Sequence, residues 1–119
     1  MRDLSRFFKA LSDPNRLRIL KMLEIRPLCV CEITEILQLA TSTVSKHLSI
    51  LRDAGLILDN KEGKWVNYQL NHSADSPYVS QILPLLHEWL KNDPTIKNDS
   101  KMAKNVNRDQ ICSTTVNIE

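Results

Sequence analysis

The stretch that decides the fold is residues 41–70, TSTVSKHLSILRDAGLILDNKEGKWVNYQL. Its first half carries Val44, Leu48 and Leu51 at helical spacing, so one face of a helix is apolar. Thr41 or Ser42 is a suitable N-cap, and Gly55 supplies the left-handed residue on which helices stop. After Gly55 the period changes. Two β-capable runs, about 56–59 and 64–70, flank NKEG. In the second run Trp65, Asn67 and Gln69 alternate with Val66, Tyr68 and Leu70, the pattern of a hairpin strand. An isolated hairpin is marginal in water, so this one must lean on helices.

Upstream, a short helix over about 31–38 turns Ile33, Ile36 and Leu37 inward, and LAT makes a tight connection to the next helix. Two short helices joined by so short a turn form a helix-turn-helix. Before it, SDPNRLRILKMLEI (12–25) offers Ser12 or Asp13 as a cap and Pro14 at the first helical position. Leu17, Leu20 and Leu23 or Met22 line its face, and Arg26-Pro27 ends it. Residues 2–11 place Leu4, Phe7, Phe8 and Leu11 on one stripe.

Downstream, SPYVSQILPLLHEWLKND (76–93) predicts a last helix over about 77–91 with a broad apolar face. Pro84 inside it predicts a kink or a late start. From Asn92 the apolar residues become too sparse for a stripe, and a flexible tail or a short accessory helix is expected. The division is therefore a domain over 1–91 and a polar tail over 92–119 that carries Cys112. Helix, helix, helix-turn-helix, hairpin, helix is the order of a winged helix: mostly α, with a β-hairpin wing.

The totals are consistent with that size. The chain has 119 residues, one domain's worth, and with 42% hydrophobic but only 5% aromatic residues its core must be aliphatic. Its formal charge of +2 is unevenly spread: residues 1–26 hold seven basic and three acidic side chains, while 27–40 hold only Glu32 and Glu35. A basic front half suits a polyanion without demanding one. No apolar run reaches membrane-spanning length. MRDLSRFFKALSDPNR has no uninterrupted apolar segment of the secretory kind. Three cysteines, an odd count, are then expected as reduced thiols in a cytoplasmic protein.

On the helix over 41–54, taking Val44, Leu48 and Leu51 as inward turns Ser42, Lys46 and Ser49 outward, flanked by Thr43 and Ser45. Small hydroxyls and one cation can enter a major groove and bond base edges or phosphates. Any solvated helix face can look the same. The hairpin favours DNA, because Lys61 and Lys64 stand near its tip, where a wing reaches a neighbouring groove or phosphate.

ALSDPNRLRILKML, LCVCEI, STVSKHLSILRDAGLI and KEGKWVNYQL together resemble the ArsR/SmtB family of metal-sensing transcriptional repressors. The resemblance runs from about Leu4 to Leu90, with four separated motifs in order. It implies a homodimeric winged-helix repressor, paired through its first and last helices, whose double-stranded operator DNA is released by an inducer. The apolar faces of 2–11 and 77–91, and Trp89, suit such an interface. A two-fold pair of recognition helices reads a palindrome with half-sites about one helical turn apart, or a multiple of it.

Cys29 and Cys31 admit three readings. Cysteine is a small apolar core residue, yet reactivity more often decides its presence. A disulfide between the two would close a strained small ring; one with Cys112 is less strained but needs the tail folded back. Thiolates also select soft ions. In the family the short helix often begins with a Cys-Val-Cys pair like this one, and a third cysteine follows three residues on. Thr34 stands there, so Cys112 is the only other thiol. Positions i and i+2 lie about 200° apart on a helix, so Cys29 and Cys31 cannot grip one ion if both are helical. Binding must hold this segment in a non-helical turn. The family's other site, for zinc on the last helix, is poorly matched. Ser76 and Pro77 follow Asp75 where a histidine is required, and Leu90 follows His87 where an acid is required. His47 and His72 read as structural or solvated.

The expected function is a metalloid-responsive repressor. It needs no cofactor, and its inducer is As(III) or Sb(III) held by Cys29, Cys31 and Cys112. Cd(II) or Pb(II), or thiol oxidation, are the alternative signals. A thiol enzyme lacks support, since no phosphate loop or acid/base pair accompanies the cysteines.

Overall fold

The computed structural model describes residues 1–109 and 111. Its helices are α1 (Arg2–Leu11), α2 (Pro14–Leu23), α3 (Val30–Leu37), α4 (Thr41–Asp53), α5 (Pro77–Glu88) and α6 (Pro94–Asn105). Its strands are β1 (Leu28–Cys29), β2 (Ile57–Glu62) and β3 (Trp65–Leu70), in sheet order β1-β3-β2. This is a winged helix: α3 and α4 are the helix-turn-helix, and β2–β3 the wing. Among the described residues no helix is long and apolar enough to cross a membrane.

Local chemistry sets most boundaries. Asp13 caps α2, its Oδ1 accepting from the N–H of Asn15 at 2.8 Å and of Arg16 at 3.2 Å. α4 ends in a Schellman motif, in which Gly55 N–H reaches Arg52 O at 2.9 Å and Leu56 N–H reaches Leu51 O at 3.1 Å. Gly55 sits at φ +79, a left-handed geometry that glycine adopts without steric cost. Leu51 and Leu56, the residues at the two ends of the motif, are both fully buried in the core. The start of α4 differs from expectation: its N-cap is Ala40, without a side-chain bond, and Thr41 and Ser42 lie inside the helix.

The wing turns on Gly63 and Lys64, because Glu62 pairs with Trp65. Gly63 has φ +61 at the first central position, where a II′ hairpin turn places its glycine. β2 therefore extends further toward the tip than the sequence suggested, and Lys61 is a ladder residue opposite Val66. β1 adds a third strand, with Leu28 facing Tyr68 and Cys29 facing Asn67.

The core is aliphatic, as composition required. Ile19, Leu20, Leu28, Ile33, Leu48 and Leu56 are among its fully buried members. Helix α5 continues through Pro84 and stops at Glu88, before the expected 91. Trp89 is extended and Leu90 is left-handed at φ 64. Buried Lys21 receives that end, its Nζ donating to Leu86 O at 2.8 Å and pairing with Glu24 Oε1 at 2.9 Å.

α6 then lies within the segment expected as a tail or short accessory helix, so α5 is not the last helix. Asp93 caps it through Ile96 N–H at 3.1 Å, and Ile96, Asp99 and Ala103 are buried. Asp99 is 1% exposed and takes both nitrogens of an Arg18 fork, at 2.7 and 2.9 Å. At the other end Arg26 donates to Ala103 O at 2.9 Å and Val106 O at 2.6 Å. Two arginines of the α2 region thus hold α6 by its middle and its C-terminus.

Candidate nucleic-acid interface and thiol element

The recognition face follows from α4's burial pattern. Val44, Leu48 and Leu51 are buried, while Ser42, Thr43, Ser45 and Lys46 are exposed and Ser49 is half-buried. On the wing Lys61 and Lys64 are exposed, and Lys64 Nζ lies 4.9 Å from the Trp65 ring centroid. The seven residues proposed from sequence thus divide between α4 and the wing.

Two arginines fix these elements. Arg16 donates from Nε to Ala10 O at 2.8 Å and from Nη2 to Lys9 O at 3.1 Å, while its Nη1 lies 3.1 Å from His47 Nδ1. Since a guanidinium only donates, Nδ1 accepts and the ring proton sits on Nε2. His47 is thus structural, pinning the recognition helix to the end of α1. Arg52 Nη1 reaches Asp59 Oδ2 at 3.1 Å, tying the end of α4 to the root of the wing.

The thiol element lies on the opposite side of β3 from β2. Cys29 ends β1 and is also the N-cap of α3, with extended φ −89 and ψ 169. Cys31 is the second helical residue. The pair is therefore split, one residue outside the helix and one inside. Cys29 N–H donates to Glu32 Oε1 at 3.0 Å, and Glu32 N–H points back to the Cys29 sulfur, making a capping box with a thiol as its cap. Burial raises the Cys29 thiol above its ordinary pKa, opposed by the backbone N–H of Glu32. Glu32, 3% exposed in its side chain, is neutralised by Arg26 Nη2 at 3.0 Å.

Cys31 is disulfide-bonded. Cys29, which titrates as a thiol, is not its partner. Cys112 lies outside the described residues. Thr34, where the resemblance would place a third sulfur, has a buried Oγ1 with no hydrogen-bond partner among the described residues. Among those residues no group of three or more His, Cys, Asp or Glu is placed to hold a metal ion. His87 Nδ1 is 3.5 Å from Glu24 Oε1, His72 and Asp75 are exposed, and Leu90 adds no donor there.

Sequence reasoning missed β1, Arg26 and Arg108. Arg108 donates to Glu62 Oε1 at 2.8 Å and to Asn67 Oδ1 at 3.0 Å. Nothing local in the sequence marks those pairings.

A helix-turn-helix with a small hydroxylated outer face, followed by a lysine-tipped hairpin, defines a DNA-binding winged-helix regulator of transcription. Residues 13–58 match the family described as bacterial regulatory protein, arsR family. The arsenical resistance operon repressor of Escherichia coli K12 is 46% identical over 65 residues, 54% of this chain and 56% of that protein, so the chain spans only about half its length. The repressor of the same description from Staphylococcus xylosus is 38% identical over 86 residues, covering 72% of this chain and 82% of the other. Among solved structures, reduced HlyU from Vibrio cholerae N16961 superposes with a TM-score of 0.63 at 34% identity, over 76% of this chain and 90% of that one. The chain belongs to the ArsR family of transcriptional repressors.

Proposed function

We propose that this repressor binds operator DNA as a homodimer and leaves it when a trivalent metalloid, As(III) or Sb(III), is captured by cysteine thiolates. The observation that carries the reading is the position of Cys29, which is at once the cap of the first helix of the helix-turn-helix and a strand partner of the wing. Arsenous acid condenses with two thiols to give two As–S bonds and two waters; a third thiol would displace a third water. Capture of Cys29 takes its sulfur from Glu32 N–H and its proton into water. The capping box opens at the root of α3 and β1 together. The disulfide at Cys31 must first be reduced by two equivalents of a small cellular thiol, which leave as their own disulfide while Cys31 and its partner sulfur are released as thiols.

Dimerisation is supported by apolar surface on α1 and at the end of α5. Phe8 is 59% exposed, and Leu85 and Trp89 are each 49% exposed. Phe7 packs 5.6 Å from Phe8 and 5.8 Å from Tyr78, bringing the two helices to one surface.

The test is release from DNA, followed by fluorescence anisotropy, against arsenite, antimonite, cadmium, lead and zinc. It uses the reduced native chain and Cys29→Ser, Cys31→Ser and Cys112→Ser. Arsenite or antimonite should release most effectively, and both Cys29 and Cys31 should be required. Strongest release by cadmium or lead would move the signal to those ions. The disulfide at Cys31 favours one second reading, release by oxidation. An oxidant that releases DNA without any metalloid would establish it.

A further inference from the structure

The wing carries a liability. Glu62 stands next to the Gly63–Lys64 turn, so a carboxylate sits at the end of the wing that a DNA phosphate would meet. Lys61 and Lys64 set against Glu62 leave one net positive charge at the tip. Asp59, nearer the root, is already paired with Arg52. Glu62 is paired from a distant part of the chain. Arg108, beyond the C-terminus of α6, places Nη2 at 2.8 Å from Glu62 Oε1 and Nη1 at 3.0 Å from Asn67 Oδ1. Asn67 in turn donates from Nδ2 to Glu62 Oε2 at 3.1 Å, so both carboxylate oxygens are held. The guanidinium carbon lies 5.3 Å from the Trp65 centroid, on the same ring that Lys64 approaches.

We propose that Arg108 is a positioning residue of the DNA wing: it masks Glu62 from the phosphate backbone, so that Lys61 and Lys64 meet duplex DNA without an opposing carboxylate. The inference rests on the DNA-binding reading. With Arg108 in place the wing tip carries two net positive charges instead of one. The charge arrives from a segment outside the helix-turn-helix and hairpin, so the wing is complete only when α6 is docked. Arg26 and Arg18, which hold α6, therefore also set where Arg108 stands. A guanidinium stays protonated throughout the range in which the protein is folded, so the charge is permanent, and pairing with Glu62 raises its pKa further.

The experiment uses the full chain and the duplex that the native protein selects from a randomised pool. Affinity is measured over a salt series for native protein, Arg108→Gln, Glu62→Gln, the double variant and Arg108→Lys. Unmasking one carboxylate near the backbone should weaken Arg108→Gln by about 5-fold, the order of one screened charge pair. Glu62→Gln should bind as tightly as native or tighter. The double variant should recover most of the loss, and Arg108→Lys part of it. The salt slope of Arg108→Gln should stay near native. Native affinity in Arg108→Gln overturns the proposal. So does a loss that Glu62→Gln fails to rescue, accompanied by a slope lower by about 0.9, since that marks a direct phosphate contact. If the native chain selects no duplex, the DNA-binding reading falls first and separately.

Discussion

Glu32 and Cys29 hold each other twice, carboxylate to backbone N–H at 3.0 Å and backbone N–H to sulfur, with the carboxylate neutralised by Arg26. The glutamate is buried, so its charge is tolerated only because both partners are present.

Glu32→Ala removes one member of a largely buried pair and one side of the cap, and leaves Arg26 short of an anion. A loss of about 2–4 kcal/mol is expected, reduced from the fully buried case because Arg26 is partly exposed. Glu32→Gln, which can still accept from Cys29 N–H, should lose less. Urea denaturation gives both values, and a Glu32→Ala chain as stable as native would show that the box contributes nothing.

The Cys29 thiol predicts an alkaline limit. Its pKa is raised in the folded chain by burial, so the unfolded chain gives up the proton first as pH climbs. The stabilising contribution is complete below the ordinary thiol value, 9.0, and is lost as pH rises through the higher folded value. Native stability should therefore fall relative to Cys29→Ala as pH rises from 9.0 through the folded value. Denaturation curves from neutral to strongly alkaline pH, without reductant, measure the difference. A constant difference across the range would contradict the assignment.

Asp99 anchors α6 from a site 1% exposed, against an Arg18 whose side chain is 24% exposed. Asp99→Ala should cost about 2–3 kcal/mol and undock the helix before global unfolding. Limited proteolysis between α5 and α6 should become fast. Equal protection in variant and native chain would mean that the buried apolar residues, Ile96 and Ala103, hold the helix without the ion pair.

Lys46 offers a direct count of phosphates. If it neutralises one, Lys46→Ala should lower the slope of log affinity against log salt by about 0.9 and weaken binding to all duplexes alike. A variant with an unchanged slope but altered sequence preference would place Lys46 on a base edge instead.

The legible parts of the molecule are those written in local periods. Val44, Leu48 and Leu51 disclosed α4, Asp13-Pro14 disclosed the start of α2, and the alternation after Gly55 disclosed the wing. β1 was not legible, because two residues contain no period and Leu28 and Cys29 become a strand only by pairing with Tyr68 and Asn67. α6 was half-legible. Asp93-Pro94 repeats the Asp13-Pro14 signal, but one of its three buried positions is Asp99, which hydrophobicity counts as solvated and Arg18 makes a core residue. The thiols were visible as a pair, whereas the split that places one on a strand and one in a helix depends on that unseen pairing. Arg26 and Arg108 act across long sequence gaps on carbonyls and carboxylates, and no spacing rule reports such contacts.

The ladder that joins Cys29 to Asn67 and Asn67 to Asn60 divides what can vary from what cannot. Matched additions to both strands at the Gly63–Lys64 turn would lengthen the reach toward DNA and leave every rung beneath in place. One residue inserted between Asn67 and Leu70 would shift the register by a single step and invert the faces of the paired residues. Reach can drift among descendants of this chain, while phase is held fixed from both sides, by the thiol at one edge and the lysines at the other.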